Sequence, residues 1–593
     1  MYFLFRPAVS RQPVMFMSVL FCGVLLYPWP TLPGSGLNQT INMLTWILVC
    51  IQGVWLLQFL PYRLRTGKAG GLLLSGLLLM NLPALWTPRI FLPEALFRMA
   101  GTAALAGLLW LLLPLAVRGG RRRAMYAVIV VAGLFQAGLG CWQVLLPASA
   151  ARWLGYDFLH AGGRATGAFG QANLLGSFLA TALLCALWLM LTSSRQWCRR
   201  LAAAGTVPLL TALVLSESRS AWLGAASGTG VLMLCIYASR QRIQVAGVIL
   251  AGLLAGMGAS SLRPAAVIAS PSGGVAAKAE ALPLTSRLTT GRTESNHQRR
   301  IMIQGALSLI AAHPLAGNGS GSFESAFPRA LARTGRANPF PVTVIHPHNE
   351  LLYVWSEGGV VALAGLLCWL TLWGVPFRSV PALLWRRPAA RHVIARGALT
   401  LPLMAHVMTE FPFYLSAVHG VLMVVLLWQA LPVRARRSRC IPRHHAASIR
   451  LVQALILCAC LTGIVFMATG LQSAFCIRAA ERTLLHDTTP LADVINPLAQ
   501  PERLQFDLAE GNLLRFNNTR NVAWLHCFRL QAGPWLAVHN DAYLTDAMMR
   551  IARAQQDESQ AAGWRQRGCL SFYEDPRFLC DFPSPGPADA SSR

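Results

Sequence analysis

Apolar runs long enough to cross a bilayer recur from residue 13 to residue 472, and they limit the possible folds more than any other feature of the chain. A hydrocarbon core about 30 Å thick is crossed by about 17 to 25 apolar residues in a helix that rises about 1.5 Å per residue. There are about thirteen such windows. They lie near 13–30, 41–60, 70–86, 98–117, 125–147, 171–193, 201–217, 220–238, 244–262, 350–374, 393–413, 416–433 and 451–472. Only 12% of the 593 residues are charged, against roughly 25% in a soluble domain. A conventional soluble enzyme is therefore excluded, and the expected fold class is an all-α integral membrane protein with about thirteen spanning helices.

The net charge of +28 would point to nucleic acid in a soluble protein. Here the short loops account for most of it, because Lys and Arg stay on the cytoplasmic side of a membrane. Arg63, Arg65 and Lys68 form one cluster, Arg118 with Arg121, Arg122 and Arg123 a second, and Arg195, Arg199 and Arg200 a third. Arg240 and Arg242 follow, then Arg378, Arg386, Arg387 and Arg391, then Arg434, Arg436, Arg437, Arg439, Arg443 and Arg450. All fall in alternate loops if the N-terminus is cytoplasmic, and no nucleic-acid partner is expected. Arg6 and Arg11 precede a first segment that has no small-residue cleavage site after it, so it reads as an uncleaved helix.

This topology divides the chain into N-terminal spans (1–262), a large external loop (263–349), C-terminal spans (350–472) and an external tail (473–593). From Arg263 to Thr290 the loop is rich in Ala, Pro, Ser and Gly and reads as flexible. Ser295 to Ala312 has helical periodicity in Ile301, Ile303, Ala306, Leu309 and Ile310, and stops at His313-Pro314 and a Gly-rich turn. The tail reads as a small helical domain. Its Cys476, Cys527, Cys569 and Cys580 would permit disulfides in an oxidising compartment, with Cys569 and Cys580 the nearest pair. Their spacing fits no zinc pattern.

His346-Pro347-His348-Asn349-Glu350 closes the large loop and opens the next span. A histidine here is suited to general-base work near neutral pH. The competing readings are an interfacial, water-satisfied imidazole or a pair of metal ligands. No metal-binding pattern surrounds the pair, so no metal and no cofactor is expected. Arg164, in Gly162-Gly163-Arg164, and Arg219, in the tight turn Ser216-Glu217-Ser218-Arg219, face the same compartment. An arginine so near a membrane is a functional candidate, against snorkelling or pairing with Glu217. The loop arginines, Arg299 and Arg300 among them, suit phosphate recognition or general attraction to an anionic bilayer surface. Glu357 could pair with an arginine or hold a helix, and Glu410, near an external turn, is a weaker candidate set against a capping or interface carboxylate.

Several motifs in this order resemble the O-antigen ligase and polymerase superfamily, and within it the pilin-type protein O-oligosaccharyltransferases. They are Arg164 to Asn173, Ser218 to Gly224, Arg299 through His313-Pro314-Leu315-Ala316-Gly317-Asn318-Gly319, and His348-Asn349 with Glu357-Gly358. The resemblance covers about residues 1–470 and departs from the common pattern at Ile303, where an aromatic residue is frequent. It implies a bacterial inner-membrane glycosyltransferase of the C type, metal-independent and inverting. Such an enzyme moves a glycan from undecaprenyl pyrophosphate on the periplasmic face to a protein hydroxyl (a pilin-like acceptor) or to lipid A core. By the resemblance His348 matches the catalytic histidine, Arg164 and Arg219 match arginines that hold the donor pyrophosphate, and Arg299, or Arg300 in its place, matches the loop arginine. His346, Asn349 and Glu357 would be supporting residues. O-antigen ligase, O-antigen polymerase and a carrier of an anionic lipid-linked substrate are the competing functions.

Overall fold

The computed structural model describes residues 6–26, 36–57, 67–115, 117, 119–158, 160–236, 238–263, 284–381, 388–431 and 446–580. Arg63, Arg65, Arg118, Arg386, Arg387 and Arg434 to Arg443 of the basic loops, and 264–283 of the large loop, lie outside them. Among the described residues every regular element is helical. Eight helices are long and apolar enough to cross a membrane: Gly67–Leu85, Arg89–Leu112, Gly119–Leu145, Ala172–Thr192, Gln196–Ser216, Ser239–Ser261, Glu350–Ser379 and Ile449–Arg482. Gln12–Val24, Thr40–Leu56 and Ala417–Ala430 are shorter apolar helices.

The two remaining windows come out differently. The window at 220–238 forms Arg219–Leu234, of 16 residues. The window at 393–413 is broken into Pro388–Ala398, Leu401–Val407 and Pro412–Leu415. A proline has no N–H to continue the ladder and is best tolerated in a first helical turn. Pro402 and Pro412 each sit at such a start, so each opens a new helix. The loop helix also differs, because Leu284–Ala312 begins inside the segment that reads as flexible. No proline occurs between Pro283 and Pro314 to interrupt it.

The chain forms two compact units. The first comprises Met1–Leu73, Ala104–Glu294 and Leu370–Met467. Its centre is Ala172–Thr192, which packs against Gly119–Leu145, Gln196–Ser216, Arg219–Leu234 and Leu401–Val407. Small residues allow the close approach, as in membrane bundles generally. A Cβ on Gly133 would lie 2.5 Å from the Ala182 Cβ, and one on Gly224 would lie 2.4 Å from the Pro402 Cα.

The second unit comprises Leu74–Ala103, Ser295–Trp369 and Ala468–Arg593. Its tail is built from Pro501–Thr519, Val522–Val538, Ala542–Ala554 and Glu558–Ser571. Asn521, Asp541 and Asp557 cap the last three through the N–H groups of Ala523, Leu544 and Gln560, each cap being worth about 1 kcal/mol. Ala509, Leu513, Phe528, Ala532, Leu536, Leu544 and Met548 share one core. Cys569 and Cys580, the pair nearest in sequence, are disulfide-bonded, and Cys476 and Cys527 are free thiols. The tail also joins the large loop, through Asn338 Nδ2 donating to the Ser571 carbonyl at 2.7 Å and Asn540 Nδ2 donating to the Glu324 carbonyl at 2.8 Å.

Candidate active site

In the first unit the site begins with two glutamines on Gly119–Leu145, two turns apart. Gln143 Oε1 accepts the N–H groups of Thr166 at 2.9 Å and Gly167 at 2.7 Å, and Gln136 Oε1 accepts that of Ala168 at 2.9 Å. Gly167 has φ 57°, and a Cβ there would lie 2.6 Å from Gln136 Oε1, so the turn needs glycine twice over. This turn fixes Arg164. Its Nε donates to the Ser216 carbonyl at 2.9 Å and its Nη2 to Asn173 Oδ1 at 3.1 Å. Burial pulls its pKa down from the ordinary guanidinium value, opposed by Glu217 and Glu410, and the charges of Arg219 and Arg263 also reach it. Arg219 is half-buried and opens its helix behind Ser218, whose hydroxyl accepts the Ala221 N–H. Glu217 pairs with Arg263, Nη1 to Oε1 2.5 Å.

Of the rest of this cluster, sequence reasoning singled out Asn173, within the Arg164 motif, and Glu410, and missed His406 and Ser177. Asn173 Nδ2 donates to Glu410 Oε1, whose other oxygen lies 3.1 Å from His406 Nε2. His406 Nδ1 lies 2.8 Å from Ser177 Oγ. Glu410 is thus no helix cap. It is a buried carboxylate one residue removed from Arg164. The signal was present, since His406 and Glu410 are four apart in an apolar window, the spacing of neighbours on one helix face.

In the second unit the Gly-rich turn after the loop helix and the Glu357-Gly358-Gly359 segment form one structure. Gly319 N donates to the Glu357 carbonyl at 2.9 Å, and Val360 N to the Pro314 carbonyl at 3.1 Å. The helix Glu350–Gly374 kinks at Gly359, φ 64° and ψ −164°. A Cβ on Gly359 would meet the Leu315 carbonyl oxygen at 2.0 Å, and one on Gly317 the Glu357 carbonyl oxygen at 2.2 Å. The Glu357 carboxylate accepts Gly321 N at 3.0 Å and Phe323 N at 3.1 Å and pairs with Arg98, which also bonds Glu94 at 2.8 Å. Glu357 therefore pairs with an arginine and starts the helix Phe323–Ala332.

Above this clamp, His348 has φ 56°, in the left-handed region that a non-glycine residue seldom adopts. Its N–H donates to His346 Nδ1 at 2.9 Å. That bond leaves the His346 proton on Nε2, 3.4 Å from Glu350 Oε2. Burial holds the His346 imidazole below its usual pKa, against the pull of Glu350. The ring also lies 4.3 Å from Tyr353, itself 4.9 Å from the Arg98 guanidinium carbon. The His346 ring thus holds the backbone N–H of His348. Asn349 Oδ1 accepts the Leu352 N–H at 3.2 Å, the bond of an N-cap. Arg299 is half-buried and Arg300 exposed, while Ile301, Ala306, Leu309 and Ile310 are buried and Ile303 is not. Among the described residues no three His, Cys, Asp or Glu side chains converge as metal ligands.

An all-α membrane chain with a buried arginine and carboxylate cluster in one unit and a His-Pro-His turn in the other defines a class of polytopic membrane protein. The family comparisons narrow the class. O-antigen ligase matches residues 204–367, which include Arg219, Arg299, His346, His348 and Glu357. Virulence factor membrane-bound polymerase, C-terminal, matches residues 395–521, which include His406 and Glu410. Both matches support the O-antigen ligase and polymerase superfamily, whose members are membrane glycosyltransferase-type ligases and polymerases acting on a lipid-linked glycan. A search of curated proteins returned no match.

Proposed function

We propose that the protein is a periplasmic-face O-oligosaccharyltransferase of the inner membrane, moving a glycan from undecaprenyl pyrophosphate to a Ser or Thr hydroxyl of a pilin-like protein. His348 accepts the acceptor hydroxyl proton as that oxygen bonds to the anomeric carbon with inversion. The bond to the pyrophosphate oxygen breaks, and the leaving group departs with the electron pair. A well-placed base contributes about 10²- to 10⁴-fold in rate. Arg164 and Arg219 bind the pyrophosphate and stabilise the charge that builds on it, with Arg299 a third donor. The observation that carries the reading is the left-handed His348 backbone tied to His346 Nδ1, a strained conformation of the kind that gathers at functional sites.

Asn173, Glu410 and His406 act as positioning residues for Arg164 in this account, and Glu357 holds the turn beneath His348. A second reading, polymerisation of lipid-linked repeat units, is favoured by the polymerase family matched at 395–521. The two are separated in cells that supply a lipid-linked glycan and a candidate pilin, by intact-mass analysis of the pilin and electrophoresis of lipopolysaccharide. Transfer to protein predicts a glycan mass on the pilin. Longer polysaccharide chains with an unmodified pilin would establish the polymerase instead.

A further inference from the structure

The acidic residues before position 481 are Glu94, Asp157, Glu217, Glu280, Glu294, Glu324, Glu350, Glu357 and Glu410. The positive-inside reading puts every one on the external side, so the opposite face carries guanidinium groups with no carboxylate of its own. On that face, within the first unit, one cluster is partly withdrawn from solvent. Arg122 stands near the start of Gly119–Leu145, and Arg391 and Arg396 lie on Pro388–Ala398. All three are half-buried. The charges of Arg122 and Arg396 reach each other and Tyr126, and all three arginines act on His392.

Two of these arginines, Arg122 and Arg396, are aimed by the backbone. Arg122 Nη2 donates to the Val117 carbonyl at 3.1 Å, and Arg396 Nε to the His392 carbonyl at 2.8 Å. These bonds leave other guanidinium N–H groups in need of an acceptor. Arg122 Nε is buried with no partner among the described residues, and so is the hydroxyl of Tyr126, a residue 1% exposed. A buried hydroxyl left without a partner is costly, and so are like charges held together. The Trp188 ring, 5.6 Å from His392, is the aromatic type that gathers at headgroup depth.

We propose that Arg122, Arg391 and Arg396, with Tyr126 beneath them, form a seat for the phosphate of an anionic phospholipid headgroup. A phosphate diester offers several acceptor oxygens to the guanidinium forks and one to the Tyr126 hydroxyl. A membrane lipid is the source because the cluster lies among helices with apolar faces, so acyl chains stay in contact with protein and bilayer. The inference does not depend on the acceptor of the glycan.

The test is a titration of the purified full chain in neutral detergent, followed by native mass spectrometry. Phosphatidylglycerol should bind about tenfold more tightly than phosphatidylcholine, and Arg122→Gln/Arg396→Gln should lose at least about tenfold of that affinity. Arg240→Gln, on the same face, should retain it. Tyr126→Phe is nearly isosteric, so misfolding does not confound it, and it should weaken binding by about two- to fivefold. The lipid seat is overturned if Tyr126→Phe and the double variant both bind phosphatidylglycerol like the wild type. It is equally overturned if phosphatidylcholine binds as well, or if millimolar inorganic phosphate displaces the lipid, which would make the seat a free-phosphate site.

Discussion

In the first unit, Arg164, Asn173, Glu410, His406 and Ser177 are joined side chain to side chain across three chain segments. In the second, the side chains of His346 and Glu357 accept backbone N–H groups, and the turns around Glu357 are ones that only glycine allows. A side-chain network has donors and acceptors that rotate, so it can re-form after an isosteric change. A carboxylate facing two fixed backbone donors and a guanidinium cannot be replaced by a group that is half donor. The first cluster should therefore tolerate a neutral isostere and the second should not.

The strongest break of that comparison is Glu357→Ala, which strips Arg98, Gly321 and Phe323 of a buried acceptor. It should cost about 3 to 5 kcal/mol, read as accelerated proteolysis of the external loop, and Glu357→Gln should recover little. Glu410→Ala should cost a similar amount, but Glu410→Gln should recover most of it, since an amide can accept from Asn173 and donate to His406. Equal recovery at both positions in thermal unfolding would dissolve the distinction.

Two further predictions concern the tail. Asp507 is buried with Oδ2 unpartnered among the described residues, and burial, aided by Glu481 and opposed by Arg503, pushes its pKa up to about 7. Its unfolded value is lower, so the associated stability is fully present below about pH 4 and is lost as pH rises through about 7. Asp507→Asn should stabilise the tail at pH 8 by up to about 4 kcal/mol and do little at acid pH. An unchanged melting profile at pH 8 would contradict this.

The smallest effect involves His539, whose Nδ1 lies 2.9 Å from Glu324 Oε2 and which joins the tail to the loop helix Phe323–Ala332. Burial alone would lower its pKa, but Glu324, by hydrogen bond and charge, and then Glu502 raise it above the ordinary imidazole value. Its contribution, about 1.5 to 3 kcal/mol, is present below the unfolded value and lost as pH rises through the folded one. Hydrogen exchange of the loop-helix amides should quicken over that rise in the wild type and be flat in His539→Gln.

The spans were legible because apolar length alone carries them, and the buried face of the loop helix followed from its periodicity. The broken window at 393–413 was hidden because hydropathy does not register that Pro402 and Pro412 restart the ladder. The partners of the candidate residues were mostly illegible. Arg98 lies 259 positions from Glu357, and no local pattern links them. Nothing in His346-Pro347-His348 dictates the left-handed turn at His348 or the proton's position on His346. Those depend on Glu350 and on the clamp of the Gly-rich turn against Gly359. The His406 and Glu410 pair was readable from its spacing, and only its connection to Arg164 required the fold.

The most direct test of His348 as the base is single-turnover glycan transfer by purified His348→Gly, with and without added imidazole, alongside donor binding. The account predicts a loss of about 10²-fold or more, donor affinity close to wild type, and partial rescue by imidazole that grows with pH as the free base accumulates. Transfer near the wild-type rate, or a loss that tracks donor binding and ignores imidazole, would contradict it.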